Sequence, residues 1–202
     1  MLSIAIQAGG ESQRMGMEKG KIPFLGVPMI QRIIDSLSSL TDDIIIITNQ
    51  PELYRFTGLP LFEDVTPGKG PLGGLLTALT TAKQPLAAVI ACDMPFVNPQ
   101  LLKYQAEIIQ SEGVDCVIPL IDNRYEPLHA VYRREICLPA VKYALETDHW
   151  RMISWLPMVQ VHTISQEECT FFDPHKLAFI NVNTPDELSA AEKIARELSQ
   201  PG

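Results

Sequence analysis

The chain has no long apolar run. Its longest, Ile44–Ile47 and Leu86–Cys92, are the size of single strands, whereas a bilayer span needs roughly 18–20 residues, so no membrane insertion is expected. Met1–Ile6 lacks the basic-then-apolar pattern of a secretory leader and runs straight into glycines, so a cytoplasmic setting is expected. The four cysteines (Cys92, Cys116, Cys137, Cys169) contain no CxxC pair. That spacing argues against a zinc site or a disulfide framework and for buried free thiols in a reducing compartment. The four histidines form no HExxH, which removes that metalloprotease signature. Positive charge is scarce, with 16 Lys and Arg against 24 Asp and Glu and a net charge of −8. Binding to nucleic acid, which rests on neutralising phosphates, is therefore disfavoured. Apolar residues are not scarce. At 46% hydrophobic and 20% charged over 202 residues, disorder is excluded, and one domain that needs no disulfide staples is expected.

The basic residues are unevenly placed. Residues 1–34 carry Arg14, Lys19, Lys21 and Arg32 against only Glu11 and Glu18. A locally basic, glycine-containing segment in an acidic protein suggests one small anionic ligand.

Hydrophobic patterning predicts alternating strands and helices. Strands are expected at Ser3–Gln7, Ile44–Thr48, residues 59–63, Ala87–Ala91, Cys116–Leu120 and Val159–Ile164. Helices are expected from Pro28 to about Leu40, over Leu75–Ala82, from the Asn98 cap to about Ser111, over Glu135–Thr147, and from the Thr184 cap to about Leu198. Thr184-Pro185-Asp186-Glu187 has the form of a capping box. Uninterrupted runs such as Ile44–Ile47 suit strands buried on both faces. The alternation predicts an α/β fold of three αβα layers around a mainly parallel twisted sheet. Ligands of such sheets bind beyond the carboxyl ends of the strands, which points to the chain after Gln7, around Asp64 and at Asp93.

Three constellations lie at those places. In Gln7-Ala8-Gly9-Gly10, followed by Arg14 and Lys19, adjacent glycines let a ligand approach bare backbone, and successive N–H groups can form an anion nest. A Walker A loop is excluded, because five residues separate Gly10 from Gly16 and no GK[ST] follows. Gly68–Gly73 is a literal GxGxxG with Asp93 twenty residues on, the form of a dinucleotide fingerprint. It does not directly follow a strand, however, and Pro71 removes one amide, so an NAD-dependent oxidoreductase is the weaker reading. Asp93, just past an apolar strand, is placed to hold Mg²⁺ beside phosphates. Asp64 offers a carboxylate suited to the paired donors of guanine.

In order, AGG, RMG before a charged residue and Lys19, Glu63-Asp64, Gly70-Pro71-Leu72-Gly73-Gly74, Cys92-Asp93-Met94-Pro95-Phe96 and Asn181-Val182-Asn183-Thr184-Pro185 resemble the MobA-like nucleotidyltransferases, and among them the molybdenum cofactor guanylyltransferases. The resemblance covers residues 2 to about 190. It implies a Rossmann-like nucleotidyltransferase fold in a single domain, with a nucleotide half (about 1–110) and an acceptor half (about 111–202). It implies transfer of GMP from GTP to the terminal phosphate of molybdenum-molybdopterin, with diphosphate released. It also implies that Gln7, Ala8, Gly9, Gly10, Lys19, Asp64 and Asp93 bind GTP, that Asp93 holds Mg²⁺, and that Arg14, Lys19 and Asp93 carry catalysis. Transient contacts with molybdenum cofactor insertion or target enzymes would follow. A cytidylyl- or sugar-phosphate transferase is the alternative, but cytidylyl relatives tend to carry alanine where Gly9 stands, and sugar-phosphate relatives a threonine and leucine where this chain has Gln13 and Met15. The sequence departs from the family in Gln7, where leucine is usual, and in Glu18, where aspartate is common. Either Thr48 or Asn49 could read the base. Arg124, His129, Arg133, Arg134, Arg151, Asn181 and Asn183 are candidates for the acceptor pocket.

Overall fold

The computed structural model describes residues 1–9, 11–12 and 17–199. Gly10 and Arg14, both named above, lie outside the described residues. In chain order, β1 (Leu2–Gln7) leads to a small hairpin of β2 (Glu11–Ser12) and β3 (Met17–Glu18), then to a second of β4 (Pro23–Phe24) and β5 (Val27–Pro28). Next come α1 (Met29–Leu37), β6 (Ile44–Ile47), β7 (Leu61–Phe62), α2 (Gly70–Thr81), β8 (Leu86–Ala91) and α3 (Pro99–Glu112). The remainder is β9 (Cys116–Ile121), β10 (Arg124–Tyr125), β11 (His129–Arg133), α4 (Arg134–Glu146), β12 (Val161–Ser165), α5 (Gln166–Thr170) and α6 (Pro185–Leu198).

One eight-stranded sheet runs β10-β9-β11-β8-β1-β6-β7, with β12 also paired to β9. The pairs among β7, β6, β1 and β8 are parallel, as alternation with helices requires. Burial explains the layering. Ile4, Ile6, Ile44, Ile46, Ala88 and Ile90 pack into one core with α1, α3 and α6. Ala5, Ile45, Ile47, Ala87 and Val89 pack into a second core with α2 and α4. The period of two along each strand therefore feeds two apolar layers, and three αβα layers result. The ends of α3 and α6 follow their caps: Asn98 accepts from Leu101 N at 3.0 Å, and Thr184 and Glu187 close the capping box.

Two differences from the sequence reading affect the site. Helix α2 begins at Gly70, five residues before the expected start. Positive φ at Gly68, just ahead of the helix, and at Gly70, its first residue, turns the chain into it, Pro71 needs no N–H in a first turn, and close packing overrides the poor helix propensity of Gly73 and Gly74. Strand β11 was not anticipated. Its sequence, His129-Ala130-Val131-Tyr132-Arg133, carries polar ends that suggest a surface segment. It is in fact inserted antiparallel between β8 and β9, so the second half of the sheet is mixed.

Candidate active site

The carboxyl ends of β1, β6 and β8 open into a cleft of about 500 Å³, lined among others by Gln7, Gly9, Lys19, Asn49, Asp64 and Asp93. That volume is in the range of small-molecule sites. Parallel register makes the convergence unavoidable, because Gln7 stands opposite Ile47 on one side and Ala91 on the other. The residues following these three strands must therefore meet. Ala8 N donates to Ile47 O at 2.8 Å and Cys92 N to Gln7 O at 3.0 Å, extending the ladders to the edge of the cleft.

Asp93 and Lys19 form the charged centre. Lys19 Nζ donates to Asp93 Oδ2 at 2.8 Å and also to Asn183 Oδ1. The Asp93 side chain is 12% exposed, and its Oδ1 is buried with no hydrogen-bond partner among the described residues. A buried carboxylate oxygen without a donor is costly, and oxygen is the ligand a hard cation takes. No cluster of three or more metal-ligating side chains exists among the described residues, so a divalent ion here would need phosphates as co-ligands, the usual arrangement for Mg²⁺. On these grounds Asp93 fits the metal that the sequence expectation assigns it. The adjoining Cys92 is no nucleophile, because burial pushes its thiol well up and keeps it protonated.

The first turn of α2 forms the opposite wall through Gly68, Gly70, Pro71 and Gly74. Its leading amides lack intrahelical partners and point their dipoles at the cleft, which favours an anion. The side chain of Gln7 lies against this turn. Nε2 donates to Pro71 O at 3.3 Å, and a Cβ on Gly74 would stand 2.7 Å from Gln7 Cδ. A side chain at 74 would push the far end of the Gln7 side chain aside and cost it the bond to Pro71 O, so the departure from the family at Gln7 involves the side chain as well as the backbone.

Asn49 and Asp64 hold one another. Asn49 Nδ2 donates to Asp64 Oδ2 at 3.0 Å and Asp64 N to Asn49 Oδ1 at 3.0 Å. Thr48 and Asn49 both line the cleft; Thr48 is buried there, with its Oγ1 accepting from Gln50 N at 3.1 Å, whereas the Asn49 carboxamide is turned to Asp64.

Among the acceptor candidates, Asn181 lines the cleft and Asn183 anchors Lys19. Arg124 and Arg151 are exposed. Three others do structural work. Arg133 donates to the Ile109 and Val114 carbonyls, and Arg134 donates to Ala82 O. His129 is fully buried in β11, where its Nε2 accepts from Asn98 N at 3.3 Å. Burial lowers its pKa to about 4, so it is a neutral core histidine. The bond between Lys19 and Asn183 was missed because 164 residues separate them.

The MobA-like NTP transferase domain model matches residues 4–161. The chain belongs to the MobA-like NTP transferase family. It is 36% identical to a probable molybdenum cofactor guanylyltransferase of Pelotomaculum thermopropionicum, over 94% of this chain and 91% of that one. It is 31% identical to the molybdenum cofactor guanylyltransferase of Syntrophotalea carbinolica, over 92% and 88%. Among solved structures, molybdopterin-guanine dinucleotide biosynthesis protein A of Archaeoglobus fulgidus matches with a TM-score of 0.84 and 26% identity, covering 98% of this chain and all of that one. A cytidylyltransferase of Leptospira borgpetersenii shares the fold at 12% identity, with a TM-score of 0.73 over 97% of this chain and 87% of that one. As a member of the MobA-like NTP transferase family the chain is a nucleotidyltransferase.

Proposed function

We propose that the protein transfers GMP from GTP to the terminal phosphate of molybdenum-molybdopterin, giving the guanine dinucleotide cofactor and diphosphate. The observation that carries this reading is the convergence of Lys19, Asp93, the Asn49–Asp64 pair and the α2 N-terminus on one cleft, in a chain whose full-length relatives carry that activity in their names.

A phosphate oxygen of the acceptor attacks the α-phosphorus of GTP. The new P–O–P bond forms as the α–β bridging P–O bond breaks, and diphosphate departs with the electron pair. An acceptor phosphate is largely ionised at neutral pH, so no general base is required. The obstacle is the approach of two anions, which leaves positioning and electrostatics to do the catalysis. Lys19, a compact cation, holds phosphate oxygens, with Asn183 and Asp93 fixing its Nζ. The amides at Gly9 and at the start of α2 cradle the same charge. Asp64, oriented by Asn49, takes the N1–H and N2–H₂ edge of guanine. Arg14, assigned from the sequence motif, grips the departing diphosphate with its planar fork. Mg²⁺ held by Asp93 would neutralise charge on the nucleotide phosphates. Asn181 faces the acceptor, since a carboxamide offers a pterin edge both a donor and an acceptor. The four free cysteines support a reducing, cytoplasmic setting.

The test is calorimetric titration with GTP, CTP, ATP and NAD, each with Mg²⁺, followed by diphosphate release on adding the acceptor. GTP is expected to bind at least about tenfold tighter than the others. Preference for CTP or NAD overturns the guanylyl assignment.

A further inference from the structure

Lys69 stands immediately before α2, between Gly68 (φ +80°) and Gly70 (φ +60°), both of which line the cleft. Glycines in the left-handed region on either side leave the backbone few local restraints, and no side chain caps the helix. Bonds from Val65 N to Thr77 Oγ1 at 3.0 Å and from Gln7 Nε2 to Pro71 O flank the segment, and between them it is held through the Lys69 side chain. Its Nζ sits 3.7 Å from the centroid of the Trp150 ring and 3.6 Å from Asp148 Oδ1. Trp150 Nε1 donates to that same oxygen at 3.1 Å. Lys69 is the sheltered member of the trio, its side chain 23% exposed against 82% for Asp148. On its other flank, Lys69 Cβ and Thr66 O each stand 3.2 Å from where a Cβ on Gly73 would be. Residues 66–70 are thus folded back on the first turn of α2 and pinned to the turn that follows α4.

From this geometry we infer that Lys69 and Trp150 form a positioning clip: an ammonium seated on an indole fixes residues 66–70, and with them the first turn of α2, in the place from which that turn meets the nucleotide phosphates. The inference rests on the nucleotide-binding reading of the cleft. Lys69 acts here through the loop, and Trp150 reports the loop's position. Because Trp150 follows α4, the clip also ties the nucleotide wall to the second half of the chain.

The experiment is a double-mutant cycle with Lys69→Met, Trp150→Leu and the pair, read as KM for the nucleotide against kcat, with Lys69→Arg as the conservative variant. Each single substitution is expected to raise the nucleotide KM about three- to fivefold, the worth of an exposed cation–π contact, with kcat within about twofold. The pair is expected to do no worse than either single change, because both remove one interaction. Lys69→Arg is expected to restore KM, since a guanidinium also stacks on indole. A second readout is the emission of Trp150, isolated by subtracting the Trp150→Phe spectrum from that of the wild type. It is expected to change as nucleotide is added, and to change less in Lys69→Met. Independent, multiplying effects in the cycle overturn the clip, as does an unchanged KM or a Trp150 emission indifferent to nucleotide. A loss of kcat in Lys69→Met that Trp150→Leu does not share also overturns it, and makes Lys69 a direct phosphate ligand. Failure of the guanylyl assignment would show in which nucleotide the wild type prefers, and the cycle would then be run with that nucleotide, so the two failures are distinguishable.

Discussion

Two buried aspartates sit at opposite ends of the same parallel strands, and their surroundings differ. Asp43, at the amino-terminal end, is fully engaged. Its Oδ2 accepts from Ser3 Oγ and from Lys83 N at 3.1 Å, and Lys83 Nζ stands 3.9 Å from Oδ1. Ser3 Oγ in turn accepts from Gln84 N at 2.9 Å. Asp93, at the carboxyl end, has one oxygen on Lys19 and the other buried without a partner. The first arrangement closes a loop onto the sheet. The second leaves a buried oxygen unsatisfied at the cleft, where a ligand can use it.

The sharpest way to break this comparison is to neutralise each aspartate in turn. Asp93→Asn is expected to reduce turnover by on the order of 10²–10³, the usual loss for a preorganised electrostatic group. Its unfolding midpoint should move little, because the change removes a buried charge with an unpartnered oxygen while Lys19 keeps Asn183 Oδ1 as its acceptor. Asp43→Ala is expected to leave turnover near wild type but to lower stability by about 1–3 kcal/mol, as Ser3 and the Lys83 amide lose their acceptor. Diphosphate-release assays and urea unfolding on both variants decide the matter. The reverse pattern would show that satisfaction of hydrogen bonds does not separate the two ends.

An unpartnered buried atom is not by itself a sign of function, and His129 sharpens the point. Its Nδ1 is also buried without a partner, yet the ring packs edge-on to Phe179 at 5.3 Å between centroids and lines no cleft. Because Nε2 accepts from Asn98 N, the proton sits on Nδ1 and the ring is neutral. Its pKa is lowered to about 4 in the fold, against about 6.5 in an unfolded chain. Between those values the unfolded state binds more protons, so stability rises with pH through the window. As pH falls from 6.5 to 4, up to about 3 kcal/mol should be lost at this residue. Urea midpoints from pH 8 to 4 are expected to show that slope, and His129→Gln to flatten it, with turnover at pH 7.5 reduced far less than in Asp93→Asn.

Legibility from sequence follows the same division between ends and halves. The parallel half could be read because strands such as Ile44–Ile47 are apolar on both faces, and the caps at Asn98 and Thr184 mark their helices chemically. Lys19, Asp64 and Asp93 could be named because topology sends everything after a parallel strand to one edge. The antiparallel insertion of β11 could not be read, since half of a five-residue strand's pattern is contributed by neighbours remote in sequence. The start of α2 was misplaced because glycine signals a turn locally, whereas Gly73 and Gly74 are helical for reasons of packing. The arginines at 133 and 134 looked like anion ligands, since nothing in a sequence shows which carbonyls an arginine will reach.

Two glycines of the cleft carry the comparison to smaller effects. Gly74 is crowded from within, since its Cβ would stand 2.7 Å from Gln7 Cδ and from Gln7 Oε1 and that side chain would have to swing aside. Gly74→Ala is expected to cost no more than about 1 kcal/mol, since the displaced glutamine loses its bond to Pro71 O while the helix gains alanine's propensity, and Gln7→Ala in the same chain is expected to recover it. Thermal or urea unfolding of the two singles and the pair measures that coupling; additive losses would mean that Gln7 is not the obstacle.

Gly9 is the opposite case. Among the described residues no heavy atom lies within 4 Å of where its Cβ would be, and its φ is not in the left-handed region. Nothing in the described residues therefore demands glycine there. Gly9→Ala is expected to change stability by no more than about 0.5 kcal/mol, the ordinary range for an open site. If the glycine is kept so that a nucleotide can come against bare backbone, the same substitution must raise the KM for GTP while the unfolding curve stays put. Unchanged kinetics would remove the amide at Gly9 from the site and leave phosphate binding to Lys19, Asp93 and the first turn of α2. A raised KM for GTP with a lowered one for CTP would instead make this position a determinant of which base is accepted.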